Sequence, residues 1–252
     1  MDAEREVPIR ALGKALRLLD LLAERRQPMT LTALAEATGY PKSTVYALLS
    51  SMRAYSYVEQ QPDGRYFLGI RLYECGRAVS GAWDVTALVR PYLERLAELT
   101  GATAVVTLLE RGHIINLEQV APPAGVQVLS EMGVRLPVHA TAQGKLYLAL
   151  QSDADAMALL RTEGMPAFTP HTLVTHEAML EQLSRIRADG FAVEDGEYKI
   201  GLRAVCAPVY DRAGVPRFAV GVVGLFRRVR SEAFTDATTA VRDVAAQLSA
   251  AI

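Results

Sequence analysis

Between Leu31 and Arg53, two short apolar-patterned stretches are separated only by Gly39-Tyr40-Pro41, and a Pro62-Asp63-Gly64 turn follows soon after. A chain that breaks a helix this early and then turns a hairpin has few compact options in its first seventy residues. Upstream, Leu12, Ala15, Leu16, Leu19 and Leu22 fall at helical spacing and predict a first helix with one buried stripe. Arg25-Arg26-Gln27-Pro28 ends it, with basic residues where the helix dipole favours them. Thr30 is a natural N-cap for a second helix, Leu31 to Thr38, with Leu31, Leu34 and Ala35 facing inward. Pro41 suits the first turn of a third helix, where its missing N–H breaks no hydrogen bond. Val58 to Gln61 and Arg65 to Leu68 read as two strands around the Pro-Asp-Gly turn. Two short helices about a glycine turn also fit a plain helical bundle, but three helices followed by a hairpin is the order of a winged helix.

The third helix carries the most chemical information. Val45, Leu48, Leu49 and Met52 form its apolar stripe, and the opposite face holds Ser43, Ala47 and Ser50. Tyr46 and Arg53 flank that face on one side, Thr44 and Ser51 on the other. A helix entering the DNA major groove needs small or hydrogen-bonding residues at its centre and longer polar ones at its edges. Lys42, Ser43 and Thr44 lie in the first turn, where unpaired N–H groups suit a phosphate. Arg65, beside the hairpin turn, is placed to touch backbone or minor groove. Charge alone does not single out a nucleic-acid binder. The whole chain is −1, and residues 1–70 carry nine Lys/Arg against eight Asp/Glu. Binding would have to come from where a few cations sit.

Gly13-Lys14-Ala15-Leu16 followed by Leu34-Ala35-Glu36-Ala37-Thr38-Gly39-Tyr40-Pro41-Lys42-Ser43-Thr44-Val45 resembles the DNA-binding domain of the IclR family. Arg65-Tyr66-Phe67-Leu68-Gly69 resembles that family's wing and the start of its linker. Ile70 to Trp83 reads as a connecting helix weakened by Gly76 and Gly81. The resemblance implies that it links two domains and contributes to dimer contacts; a plain interdomain helix fits the residues nearly as well.

Beyond it, Thr86 to Leu99 predicts an amphipathic helix built on Leu88, Val89, Tyr92, Leu93 and Leu96. Short β-prone runs follow at Ala104–Leu109, Ile114–Gln119 and Val126–Ser130, separated by Arg111-Gly112 and by Ala121-Pro122-Pro123-Ala124-Gly125. Helical patterns occupy Ala142–Leu150, Ala154–Arg161 and Glu177–Asp189. Strands at Leu202–Tyr210 and Phe218–Leu225 flank Asp211-Arg212-Ala213-Gly214, and a helix from Ser231 to Ile252 closes the chain. The expected class is mixed α/β (α+β), with an antiparallel sheet in the second half. The domains are expected at 8–70 (winged helix-turn-helix), 71–85 (linker helix) and 86–252 (effector-binding domain).

Gly133-Val134-Arg135-Leu136-Pro137-Val138-His139-Ala140-Thr141-Ala142-Gln143-Gly144-Lys145 resembles the IclR-family effector-domain signature, and Glu197, Gly201-Leu202 and Ala207-Pro208-Val209 follow in the family's order. The resemblance implies a GAF-like domain that binds a small organic effector beside this helix start. Carried over position by position, the candidates are Val128, Ala142, Gln143, Gly144, Glu194, Ala204, Gly221 and Val223. Ala204, Gly221 and Val223 stand where members that sense short keto acids carry thiols or hydroxyls, which implies a larger or more apolar effector such as an aromatic acid or derivative. The resemblance also implies a homodimer or dimer of dimers on double-stranded operator DNA, with repression of a catabolic operon the favoured mode.

The residues of this stretch give a reading of their own. Thr141 is a plausible N-cap, which leaves N–H groups at Ala142, Gln143 and Gly144 to meet a carboxylate. A nucleotide P-loop is excluded, because the position five before Gly144 is His139 and no Ser or Thr follows Lys145. Arg135, His139 and Lys145 also fit a purely structural role, which His139 favours beside a proline turn. The competing class is an enzyme domain, small-molecule-transforming or metal-dependent, fused to a helix-turn-helix. Its support is thin: four His without an HxxxH, no GxSxG, and no GxGxxG after a strand. His139, Cys206, Glu194 and Asp195 are the only metal candidates, and Glu194-Asp195 with Glu197 reads as a solvated loop or pocket rim. No catalytic residue, metal or cofactor is expected. A third class, a protein-interaction module binding nothing small, is separable by ligand titration. Cys75 and Cys206 read as small buried hydrophobes in a reducing compartment. The charged N-terminus and the lack of a long apolar run point to a cytoplasmic protein without membrane contact.

Overall fold

The structure is a computed structural model that describes residues 8–82, 85–110, 113–124, 127–128 and 136–252. The chain divides into two compact units, residues 1–84 and 85–252. Most of the strand expected at Val126–Ser130, and the Gly133-Val134-Arg135 start of the signature, lie outside the described residues, as do Arg111-Gly112.

In the first unit, α1 (Arg10–Arg25), α2 (Leu31–Thr38) and α3 (Lys42–Ala54) precede a hairpin of β1 (Val58–Gln60) and β2 (Tyr66–Leu68). Thr30 caps α2 as expected, its hydroxyl accepting the Ala33 N–H at 3.1 Å. Gly39 ends that helix with φ +70°, a left-handed conformation costly to any residue with a Cβ. Pro41 serves as the N-cap residue of α3 rather than in its first turn. The core gathers Leu18, Leu21, Leu22, Leu34, Val45, Leu49, Met52, Val58 and Tyr66.

One expectation fails here. Leu12 and Leu16 are 55% and 50% exposed; of the expected stripe Leu22 is buried and Ala15 and Leu19 half-buried, and α1 also buries Leu18 and Leu21. Leucines lie on more than one face of α1, and packing against α2 and α3 selects the face that periodicity left ambiguous. The connecting helix α4 (Ile70–Ala82) leaves the wing at Gly69, whose N–H bonds Tyr57 O at 2.9 Å. Cys75 on α4 is only half-buried, its Sγ 3.8 Å from the Tyr57 hydroxyl, whereas Cys206 is buried as expected.

The second unit is built on a five-stranded antiparallel sheet, with order β4-β3-β7-β6-β5 among the described residues. Its strands are β3 (Thr103–Glu110), β4 (His113–Val120), β5 (Ala192–Asp195), β6 (Arg203–Tyr210) and β7 (Pro216–Gly224). Strand β5 was not expected, being four residues long and without a clear alternation of its own. One sheet face packs on α5 (Val85–Thr100) and α9 (Glu232–Ala251) through Ala104, Val106, Val205, Val220 and Val222. The other packs on α6 (Ala142–Ala149), α7 (Asp153–Glu163) and α8 (His176–Asp189) through Ala192, Ala204, Cys206, Ala219 and Val223. Burial on both faces explains why β6 and β7 read as near-continuous apolar runs.

Candidate functional site

On α3 the buried side is Val45, Leu49 and Met52, with Leu48 half-buried. Lys42, Ser43, Tyr46, Ala47 and Arg53 are exposed, and Thr44 and Ser50 half-buried. All of these lie on one helix, so its 3.6-residue period brings Ser43, Tyr46, Ala47 and Ser50 to a common solvent face. Arg53 is tied back: its guanidinium donates to Gln60 Oε1 at 2.8 Å, and Gln60 Nε2 donates to Gly64 O at 2.9 Å. The link fastens the end of α3 to the wing, a role that the Arg53 spacing did not signal. Arg65 is exposed and lies 3.4 Å from the Asp63 carboxylate, which also accepts its N–H.

In the second unit, the carried-over strand positions Glu194, Ala204, Gly221 and Val223 share one sheet face. Register places Glu194 beside Ala204, Ala204 beside Val223, and Val223 beside Thr103. Cys206 stands beside Gly221 in the row two residues further on. Ala142, Ala204 and Val223 belong to the cluster under α6, and Val128 packs against its edge. Gln143 is 7% exposed.

Gly221 is glycine because the neighbouring strand leaves no room for a Cβ, not because an effector needs space. A Cβ there would lie 2.4 Å from Val205 O and 2.7 Å from Cys206 Cβ. The strand pairing forbids a hydroxyl side chain at this backbone geometry. Gly144 is similar, since its Cβ would sit 2.4 Å from Val138 O. Thr141 does cap α6, and in doing so its hydroxyl accepts the Gly144 N–H at 3.1 Å. The Gly144 N–H is therefore not open to a ligand, and only those of Ala142 and Gln143 lack a partner among the described residues. Gly144→Ala is expected to force the Pro137–Thr141 loop off α6 and to cost about 1–3 kcal/mol, typical of overpacking, read by urea unfolding. An unchanged midpoint would show that the loop yields freely.

The acidic cluster is not a solvated loop. Glu194 and Glu197 are 5% and 8% exposed, and Asp195 pairs with Arg203 at 2.6 Å. Lys145, 1% exposed, forms a buried ion pair with Glu197. Thr169 and Thr172 donate to the Glu197 carbonyl at 3.2 and 2.6 Å. Burial pushes the Glu194 carboxyl up to about 7, against the opposing Tyr198 N–H that it accepts at 3.1 Å. Burial likewise raises the Cys206 thiol out of nucleophilic range. His139, 2% exposed, meets Pro166 O at 2.9 Å and stacks on Phe168, which is a structural tie. Among the described residues, no group of three or more His, Cys, Asp or Glu is placed to hold a metal.

Residues 11–62 match the family described as the IclR helix-turn-helix domain, and residues 77–250 match the bacterial transcriptional regulator IclR C-terminal family. The chain belongs to the IclR family. IclR-family proteins are transcriptional regulators rather than enzymes, which sets aside the enzyme-domain alternative. Among curated relatives, the HTH-type transcriptional regulator XynR of Escherichia coli K12 is 32% identical over 222 residues, covering 88% of each chain. The transcriptional repressor IclR of the same organism is 29% identical over 231 residues, covering 90% of this chain and 84% of the relative. The crystal structure of an IclR transcriptional regulator from Alicyclobacillus acidocaldarius superposes with TM-score 0.81 at 29% identity, covering 97% of this chain and 99% of that one. No helix among the described residues is long and apolar enough to cross a membrane.

Two features of this IclR-family site escaped the sequence. The pairing of Lys145 with Glu197 joins residues 52 apart and has no local signal. Thr107 was read only as part of a strand and Thr103 lay just before it, although their four-residue spacing in β3 puts both on the face shared with Glu194.

Proposed function

We propose that this regulator is a repressor acting as a homodimer, or a dimer of dimers, on a two-part operator. Residues 8–70 supply the winged helix, 71–85 the linker helix and 86–252 the effector-binding domain. An aromatic acid or derivative, bound between the sheet face and the start of α6, sets its affinity for DNA. It works in the cytoplasm, where its operator is. The carrying observation is the solvent face of α3, with Ser43, Tyr46 and Ala47 exposed and its far end fastened to the wing. Tyr46, 56% exposed, is a large side chain left in water opposite a buried apolar stripe, as a groove-reading helix requires.

One winged helix contacts too few base pairs for a selective operator, so two copies are needed. Ile9, Leu12 and Leu16 support the dimer, being 63%, 55% and 50% exposed at i, i+3 and i+7 along the start of α1. An apolar strip of this kind is one that a second copy would cover. The effector acts only if it binds the DNA-competent and DNA-incompetent states with different affinity.

The test is fluorescence anisotropy with duplexes from upstream of the regulator's own gene, at fixed salt. Ser43→Ala and Tyr46→Ala are expected to weaken operator binding by roughly tenfold each, in line with lost base contacts, with effector binding intact. Lys42→Ala should instead weaken all duplexes alike and reduce the salt slope by about one. Operator affinity unchanged in both Ser43→Ala and Tyr46→Ala would remove α3 as the reading element.

A further inference from the structure

Thr103 is fully buried, and its hydroxyl is one of few buried side-chain polar atoms among the described residues with no hydrogen-bond partner. The others are Glu197 Oε2 and Arg203 Nε, and Arg203 Nε lies 2.6 Å from the Asp195 carboxylate. Burying a hydroxyl without a partner is unfavourable, and valine would fill the same volume without that cost. The contrast with Thr107 is instructive. That residue lies four positions along the same strand on the same face, and its hydroxyl donates to Asn116 Oδ1 at 2.8 Å. Strand β3 thus satisfies one inward threonine and leaves the other open.

Thr103 also ends a cross-strand row. Glu194, Ala204, Val223 and Thr103 stand side by side on β5, β6, β7 and β3. Ala204 and Val223 belong to the cluster that includes Ala142 of α6, so the row lies on the sheet face turned toward α6 and away from α5 and α9. It has a carboxyl group at one end, a hydroxyl at the other, and two apolar residues between. Three strand spacings separate its ends by roughly 14 Å. Allowing one hydrogen bond at each end leaves roughly 9 Å for a bound molecule.

We propose that Thr103 is a specificity residue for the effector, which carries a polar group at each end of an apolar body lying over Ala204 and Val223. The proposal rests on the effector site described above and narrows it. A carboxylate meets the α6 start and Glu194, and the far end presents a hydroxyl or carbonyl to Thr103 Oγ1. Among aromatic acids this selects para-hydroxylated members over unsubstituted ones. A site built to hydrogen-bond a ligand hydroxyl rejects the analogue lacking it, because the protein group is then left buried and unpaired.

The experiment is isothermal titration of the full-length chain and of Thr103→Val with four probes: 4-hydroxybenzoate, 4-hydroxycinnamate, benzoate and cinnamate. The wild type is expected to prefer each hydroxylated acid over its parent by tenfold or more. Thr103→Val should reduce that preference below twofold, leave affinity for the parents unchanged, and melt no lower than wild type. A preference that survives in Thr103→Val overturns the role of Thr103, as does equal binding of hydroxylated and parent acids by the wild type. In both cases the aromatic reading stands. No binding of any of the four acids overturns both.

Discussion

Lys145→Met is expected to lower the stability of the chain by about 3–5 kcal/mol, the range for removing one partner of a buried ion pair. The ammonium is 1% exposed and its partner Glu197 8%, so the substitution strands a carboxylate that water cannot reach. Glu197 Oε2 already lacks a hydrogen bond, which leaves the carboxylate only the Asp195 N–H, 3.4 Å from Oε1, once Lys145 is gone. For a unit of this size the loss corresponds to a fall in melting temperature of roughly 10 °C. The double variant Lys145→Met/Glu197→Leu separates the pair's net worth from the cost of breaking it. Replacing both charges by apolar groups of similar size is often neutral, so the double variant should recover most of the lost stability. Thermal unfolding followed by circular dichroism reads both. A single variant that melts within a degree or two of wild type would mean that Glu197 is hydrated or protonated without Lys145. The pair also joins α6 to the turn after β5, so the single variant should loosen the α6 start and weaken effector binding.

The limits of the sequence are set by the same distinction between local and distant partners. Thr30 and Thr141 were legible as caps because a cap is a contact over three residues, and both hydroxyls accept the N–H three residues on. The α3 face was legible because one helix with a single apolar stripe leaves no choice of orientation. The facing of α1 was not, since Leu12, Leu16, Leu18, Leu19, Leu21 and Leu22 offer more than one stripe and only packing selects among them. The family resemblance brought forward the residues of the effector face. It did not show that Gly221 answers to Val205 and Cys206 on the neighbouring strand, nor that Gly144 answers to the Val138 loop. Those are approaches of a few ångströms between distant segments of the chain, fixed by sheet register and loop path. Strand β5 illustrates the same limit: its four residues are a strand because β6 pairs with them.

Glu194 is expected to make the folded chain less stable as pH rises from about 4.5 to about 7. Burial raises its carboxyl to about 7 in the folded state, well above the ordinary carboxylate value it recovers on unfolding. Between those two pH values the folded chain holds a proton that the unfolded chain has lost. Stability from this group is therefore complete below the unfolded value, declines through the window, and is flat above the folded value. The total corresponds to roughly 3 kcal/mol. Glu194→Gln keeps an acceptor for the Tyr198 N–H but carries no proton equilibrium, so the difference between wild type and variant isolates the residue from other carboxylates. Asp211, for one, is held low by the Val215 N–H and Arg217 and titrates with the opposite sign. Urea unfolding at intervals from pH 4.5 to 8 should give a variant that matches wild type at the acid end and exceeds it above pH 7. Parallel curves would place the Glu194 carboxyl in water. Glu197 and Lys145 bear on this carboxyl with opposing signs, and the buried Cys206 thiol stays neutral throughout the window. An effector carboxylate seated against Glu194 meets a neutral acid below pH 7 and a repelling anion above it. Affinity for such an effector should therefore fall as pH rises through 7, and Glu194→Gln should abolish that fall.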